Sequence, residues 1–151
     1  MPITPTYLES LHRAMAAAGI ERRIGTPVAL RAYFQLTADH GLLLGVLAEA
    51  APLAGRGFSS PPLRVYAQGA ERDGYLTALV EFAGGQTAVL TAEACRTEEP
   101  QLLILLIGNQ GALQYQDTPG RVALGAGDPV WRAAIRESLE SGRPAMVKHA
   151  A

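Results

Sequence analysis

The tightest constraint on this chain is the alternation of short apolar runs and turn signals between Leu63 and Tyr115. Four strand-like runs follow one another, Leu63 to Ala67, Tyr75 to Phe82, Thr87 to Cys95 and Leu102 to Ile107, and a short fifth spans Ala112 to Tyr115. Between them lie Gly69 to Gly74, Ala83-Gly84-Gly85-Gln86, Arg96 to Pro100 and Gly108-Asn109-Gln110-Gly111, which are turn signals. Joins this short connect antiparallel neighbours, because a parallel pair needs a crossover of a dozen or more residues. The spacing predicts an α+β fold: one large, mostly antiparallel sheet, a broad meander with helices packed on one face.

A chain of 151 residues is read as a single domain, residues 1–151, large enough to bury a real core. Apolar residues make up 48% and charged residues 18%, a balance that argues against disorder. The formal net charge is −1, and the one lysine, Lys148, and the scattered arginines form no basic stripe, so neither nucleic acid nor an anionic membrane is an expected partner. The single cysteine, Cys95, excludes an internal disulfide and a Cys-rich zinc site, and fits a reducing cytoplasm. The longest apolar run is too short to cross a bilayer, and the N-terminus has no signal-peptide pattern. The expected protein is soluble and cytoplasmic.

Taken in order, Thr6 to Ala18 has the spacing of a capped amphipathic helix, with Gly19 to end it. Val28 to Leu36 reads as a strand with Ala29, Ala32, Phe34 and Leu36 grouped on one side and Arg31, Tyr33 and Gln35 on the other. A face carrying Arg, Tyr and Gln is solvent-exposed, an interface, or the lining of something polar. Thr37 to Glu49 has helical periodicity with Thr37 or Asp39 as N-cap and Pro52 just past the end; its leucines make it the most buried helix. Asp39 and His40 are adjacent and could in principle exchange a proton, but neighbours on a helix do not face each other, and a cap beside a surface histidine is the plainer reading. Ala54 to Pro62 reads as a loop suited to a lid or a partner contact, and Arg121 to Leu124 as a short edge strand. Asp128-Pro129 then opens a last helix whose inner face is Trp131, Ala134, Ile135, Ser138 and Leu139, closed by Gly142.

Motifs that carry chemistry are missing from the 151 residues: no GxGxxG after a first strand, no phosphate loop, no HExxH. The three histidines, His12, His40 and His149, are far apart, so no metal site is expected. Cys95 reads as a small buried hydrophobe and not as a nucleophile.

Several stretches, in order, resemble the C-terminal domain of the glucose-fructose oxidoreductase, inositol dehydrogenase and rhizopine-catabolism (Gfo/Idh/MocA) family. The helix at Pro5-Thr6-Tyr7-Leu8 leading to Ile24-Gly25-Thr26-Pro27-Val28 is similar to that family's entry into its first sheet strand. Phe82 to Ala88 resembles its F-x-N-G-x-x-A hairpin, Leu106 to Leu113 its I-x-G-x-x-G-x-L turn, and Trp131 to Pro144 its late helix and G-x-P. The resemblance implies a domain that closes a substrate site and dimerises through its sheet, while a separate N-terminal dinucleotide-binding domain supplies the cofactor fingerprint and a catalytic lysine. Neither that first domain nor the closing helix beyond His149 has a counterpart here. Family enzymes often carry Asp-x-Gly-x-His-x-x-Asp at the substrate; Asp39 and Gly41 match, but Leu43 and Val46 stand where the His and last Asp would be. Neither can exchange a proton with a substrate hydroxyl.

These features support a substrate-binding and oligomerisation domain of an oxidoreductase system, not redox-active by itself. Two alternatives stay open: a non-catalytic homodimeric ligand-binding or scaffolding protein, and a repurposed cofactor-free enzyme using the old substrate cleft. Arg31, Tyr33, Gln35, Asp39 and His40 are the candidate substrate-binding residues, partly because of where the family binds substrates. No cofactor is expected on this chain alone; NAD or NADP would enter only through a separate dinucleotide-binding partner. The other expected partner is a second copy, paired through the open sheet face, since Tyr75, Thr77, Leu79 and Glu81 alternate with Leu76, Ala78, Val80 and Phe82 and leave apolar groups on both sides.

Overall fold

The computed structural model describes residues 24–36, 43–94, 101–117 and 128–147. The N-terminal helix expected over Thr6 to Ala18, the strand over Arg121 to Leu124, and the residues Asp39, His40 and Cys95 lie outside them. Seven strands form one sheet: β1 (Pro27–Leu36), β2 (Pro62–Ala70), β3 (Tyr75–Phe82), β4 (Thr87–Ala94), β5 (Leu102–Gly108), β6 (Gly111–Asp117) and the two-residue β7 (Ala145–Met146). Two helices accompany them, α1 (Leu43–Phe58) and α2 (Pro129–Ser141). The architecture is α+β with a mostly antiparallel sheet. No helix among the described residues is long and apolar enough to cross a membrane.

The strand order is β6-β5-β1-β4-β3-β2-β7, which corrects the simple meander. β1 lies between β4 and β5, parallel to β4 and antiparallel to β5, so the segment after β4 does not join neighbours. The error has a physical source. Crossing one intervening strand means covering two strand spacings, about 10 Å, and a few extended residues reach that far. Short length thus excludes a parallel partner but does not require an adjacent one. The far end of this join is tied to the intruding strand, where the Gln35 amide donates to the Gln101 carbonyl at 2.9 Å.

Two stretches far apart in sequence lock the start of β1. The turn between β5 and β6 folds against Ile24 to Thr26: Gln110 N–H donates to the Ile24 carbonyl, Asn109 N–H to the Thr26 carbonyl, and Thr26 N–H to Asn109 Oδ1. Gly108 sits so close to the Ile24 carbonyl that a Cβ there would overlap it, and Gly25 takes a φ of 73° with no room for a Cβ beside Asn109. A bulge between Pro27 and Ala29 then shifts the β1–β5 register.

Alternation assigns the two faces. Leu30, Ala32, Phe34 and Leu36 of β1 are buried, as are Leu76, Ala78, Val80 and Phe82 of β3 and Leu102, Ile104 and Leu106 of β5. α1 packs over β4, β3 and β1, and α2 over β2 and against α1, so the helices cover one face. Ala29 belongs to the other face, with Arg31, because odd positions of β1 point away from the helices.

α1 departs most from its expected limits. It does not stop before Pro52 but runs through it to Phe58, so the loop expected from Ala54 is helical for its first five residues. Proline in a helix interior removes one hydrogen bond and costs about 3 kcal/mol. Burial beyond it offsets that cost: Ala54 and Phe58 are buried, and the Phe58 ring meets Phe82 edge-on with centroids 5.3 Å apart. The helix closes on Ser59 in the left-handed region (φ 54°), with Ser60 N–H donating to the Gly55 carbonyl and Ser59 N–H to the Arg56 carbonyl. This is a Schellman motif with serine in the position glycine usually holds.

α2 follows its expected limits closely. Asp128 caps it, accepting from the Val130 and Trp131 amides, Pro129 opens it, and Gly142 closes it in the left-handed region. Its Ser138 is fully buried and its hydroxyl accepts from the Ala67 amide at 2.9 Å, which satisfies a β2 backbone group beyond the short β7. Ser138→Ala leaves that amide unsatisfied and should lower unfolding stability by about 1–3 kcal/mol, measured by urea denaturation.

Candidate functional site

The face away from the helices is organised in rows across the strands. One row runs Gln114, Leu105, Arg31, Val89, Leu79 and Tyr66; the next runs Gln116, Leu103, Tyr33, Thr91, Thr77 and Gln68. Tyr75 is 43% exposed, Leu79 38% and Ile107 37%, so large apolar side chains of β3 and β5 face solvent here. Leu103, Leu105 and Val89 are half-buried between their neighbours. Thr77 and Thr91 share a hydrogen bond at 2.9 Å across β3 and β4. No described element packs on this face.

The charges on it are few. Arg64 and Glu81 pair with each other across β2 and β3. Arg31 and Glu93 have no partner among the described residues. Of the candidate substrate residues, the structure brings Arg31, Tyr33 and Gln35 together on this open face, Arg31 exposed and the other two half-buried. Asp39 and His40 lie outside the described residues.

At the start of α1, Leu43 and Val46 are both fully buried in the core. Both positions therefore carry apolar groups sealed from solvent. Among the described residues, no cluster of His, Cys, Asp and Glu could hold a metal ion.

A second concavity, which sequence pattern did not reveal, opens between the last turn of α1 and the first of α2. Its volume is about 520 Å³, and its walls include Pro52, Arg56, Ser59, Pro61, Asp128 and Trp131. The size is that of a small-molecule site. Its polar groups are mostly engaged: Asp128 Oδ1 caps α2, and the Ser60 hydroxyl accepts from the Gly84 amide. Arg56 is exposed without a partner among the described residues. The cleft can hold a mainly apolar molecule with an anionic end, but it has no paired base and nucleophile. A signal in the sequence did exist, the run of Pro and Ser from Ser59 to Pro62, but only folding places Trp131 and Asp128 against it.

No protein-family model matches the sequence, and no curated protein matches it. Solved structures do match. A myo-inositol dehydrogenase from Lactobacillus casei, in complex with NAD(H) and myo-inositol, aligns at a TM-score of 0.69 and 10% identity over 95% of this chain and 60% of that one. A myo-inositol 2-dehydrogenase from Lactobacillus plantarum aligns at 0.68 and 12% over 94% and 62%, and a myo-inositol dehydrogenase from Corynebacterium glutamicum at 0.66 and 13% over 95% and 64%. At these identities the likeness is one of fold. The chain spans about three fifths of the length of the solved chains it matches.

Burial pushes the Glu71 carboxyl above its ordinary value, and the positive charges of Arg136 and Arg132 partly oppose the shift. A carboxyl whose pKa is raised on folding binds its proton more tightly in the native state. Its cost is therefore absent below the ordinary carboxylate range and grows as pH rises through the interval between the two values. Glu71→Gln should flatten this part of the stability–pH curve, read from chemical denaturation between pH 4 and 7, on the order of the ordinary carboxylate titration range.

Proposed function

We propose that this chain is the substrate-binding and oligomerisation domain of a Gfo/Idh/MocA-type oxidoreductase system and is not redox-active by itself. The observation that carries the reading is the match of nearly the whole chain to about three fifths of the length of inositol dehydrogenases. The stretches that resemble the family's strand entry and its glycine turn also meet in space, at Ile24 to Thr26 and Gly108 to Gly111. In this reading the nicotinamide belongs to a dinucleotide-binding unit outside these 151 residues, and the substrate is a polyol of the inositol kind. Asp39 and His40 stay candidate substrate contacts in this reading, while Arg31, Tyr33 and Gln35 belong to the face between copies.

That face supports pairing of two copies. Six strands at about 4.8 Å spacing and some 20–25 Å long present on the order of 600 Å² per copy. A face-to-face pair then buries roughly 1,200 Å², the lower bound of a specific interface. The non-catalytic ligand-binding alternative draws on a specific observation too: Leu43 and Val46 are sealed where acid–base groups would stand, and the cleft at Trp131 is large enough for a ligand.

Calorimetric titration of the 151-residue chain with NAD and NADP should give no stoichiometric binding, because it carries no glycine-rich turn opening a helix to hold a pyrophosphate. Tight one-to-one dinucleotide binding would overturn the proposal. Supplying a family dinucleotide-binding domain in trans and measuring inositol-dependent NAD reduction separates the alternatives, since a scaffolding protein gives none. Sedimentation at micromolar concentration should report twice the chain mass, and Leu79→Arg, on the open face of β3, should shift it toward monomer.

A further inference from the structure

The geometry points to a reciprocal ion pair between two copies of this chain, Arg31 of each against Glu93 of the other, that sets how their open sheet faces pack. This rests on the reading of that face as the interface between copies.

Among the charged side chains of the described open face, Arg64 and Glu81 already neutralise each other. What remains is one cation and one anion, Arg31 on β1 and Glu93 on β4, with no partner among the described residues. Both stand among apolar or uncharged neighbours: Arg31 between Leu105 and Val89, Glu93 between Gln35 and Tyr75. Covering this face with a neutral surface would strip water from both charges without compensation, which is strongly unfavourable. Covering it with a second copy lets each charge meet its opposite.

The register makes that meeting symmetric. β1 and β4 are parallel, and Tyr33 lies opposite Thr91. Arg31 is two residues before Tyr33, and Glu93 is two residues after Thr91. The two charges are thus equidistant from the Tyr33–Thr91 row, on opposite sides of it, about 14 Å apart along the strands and about 5 Å apart across them. Two identical faces stack through a two-fold axis lying in the plane between them. An axis running across the strands at the Tyr33–Thr91 row brings the level of Arg31 over the level of Glu93 in the partner copy. A two-fold tilted so as to close the one-strand offset forms both pairs at once, with the strands of the two copies about 40° apart, given about 14 Å along the strands and about 5 Å across them. The row on the axis holds Leu103, Tyr33, Thr91 and Thr77, groups that can face their own copies without like-charge repulsion.

The test is a charge-reversal cycle read by sedimentation equilibrium on the whole chain: wild type, Arg31→Glu, Glu93→Arg and the double variant, with circular dichroism to check folding. Each single reversal puts like charges together at both sites and should weaken the dimer at least tenfold, and the double variant should recover to within about threefold of wild type. Should a reversal prevent folding, Arg31→Gln and Glu93→Gln with their double give the same cycle, expected to be non-additive. A wild-type dimer that both single changes leave intact, while Leu79→Arg dissociates it, overturns the ion pair and spares the sheet-face reading. Single variants that dissociate without recovery in the double also overturn the pair. A monomeric wild type overturns both.

Discussion

The arrangement of the domain hangs on the insertion of β1 between β4 and β5. Its inner residues, Leu30, Ala32, Phe34 and Leu36, are each almost fully buried, and its two neighbours use up its backbone groups on both sides. Without it the sheet would split into a β5–β6 hairpin and a β2–β3–β4 unit with no shared core. Local turns explain neither contact of β1, the parallel one to β4 and the antiparallel one to β5, nor the short pairing of β2 with β7. The clamp at Ile24 to Thr26 and Gly108 to Gly111 holds the start of β1 against β5.

That insertion also separates two chemistries. The face under the helices is a continuous apolar core, and it takes in Leu43 and Val46 at the head of α1. The other face keeps its polar and aromatic groups in register across six strands, with Arg31 and Tyr33 at its middle. A side chain on β1 thus serves either the core or the open face, according to parity alone.

Much of the fold was legible in the residues, because periodicity and caps are local. The strands from Tyr75 to Phe82 and the helix from Asp128 to Gly142 came out with their limits, the latter because Asp-Pro and a glycine punctuate it physically. α1 was misjudged at its end, since proline is a local stop signal and the compensating burial of Ala54 and Phe58 is not local. Of the candidate site, the shared face of Arg31, Tyr33 and Gln35 followed from alternation. The cleft beside Trp131 did not, because its walls come from helices more than seventy residues apart in the chain.

The sequence by itself determined the class of fold, the faces of most strands and the absence of a cofactor fingerprint within these residues, since each is set by neighbouring residues and their period of two or 3.6. Only the tertiary structure decided which strands are neighbours. Alternation says which side of a sheet a residue faces but nothing about what lies beside it, and a seven-residue join is long enough to step over a strand as readily as to turn back. Packing resolved that choice, by giving β1, with Leu30, Ala32, Phe34 and Leu36 all buried, a place at the centre.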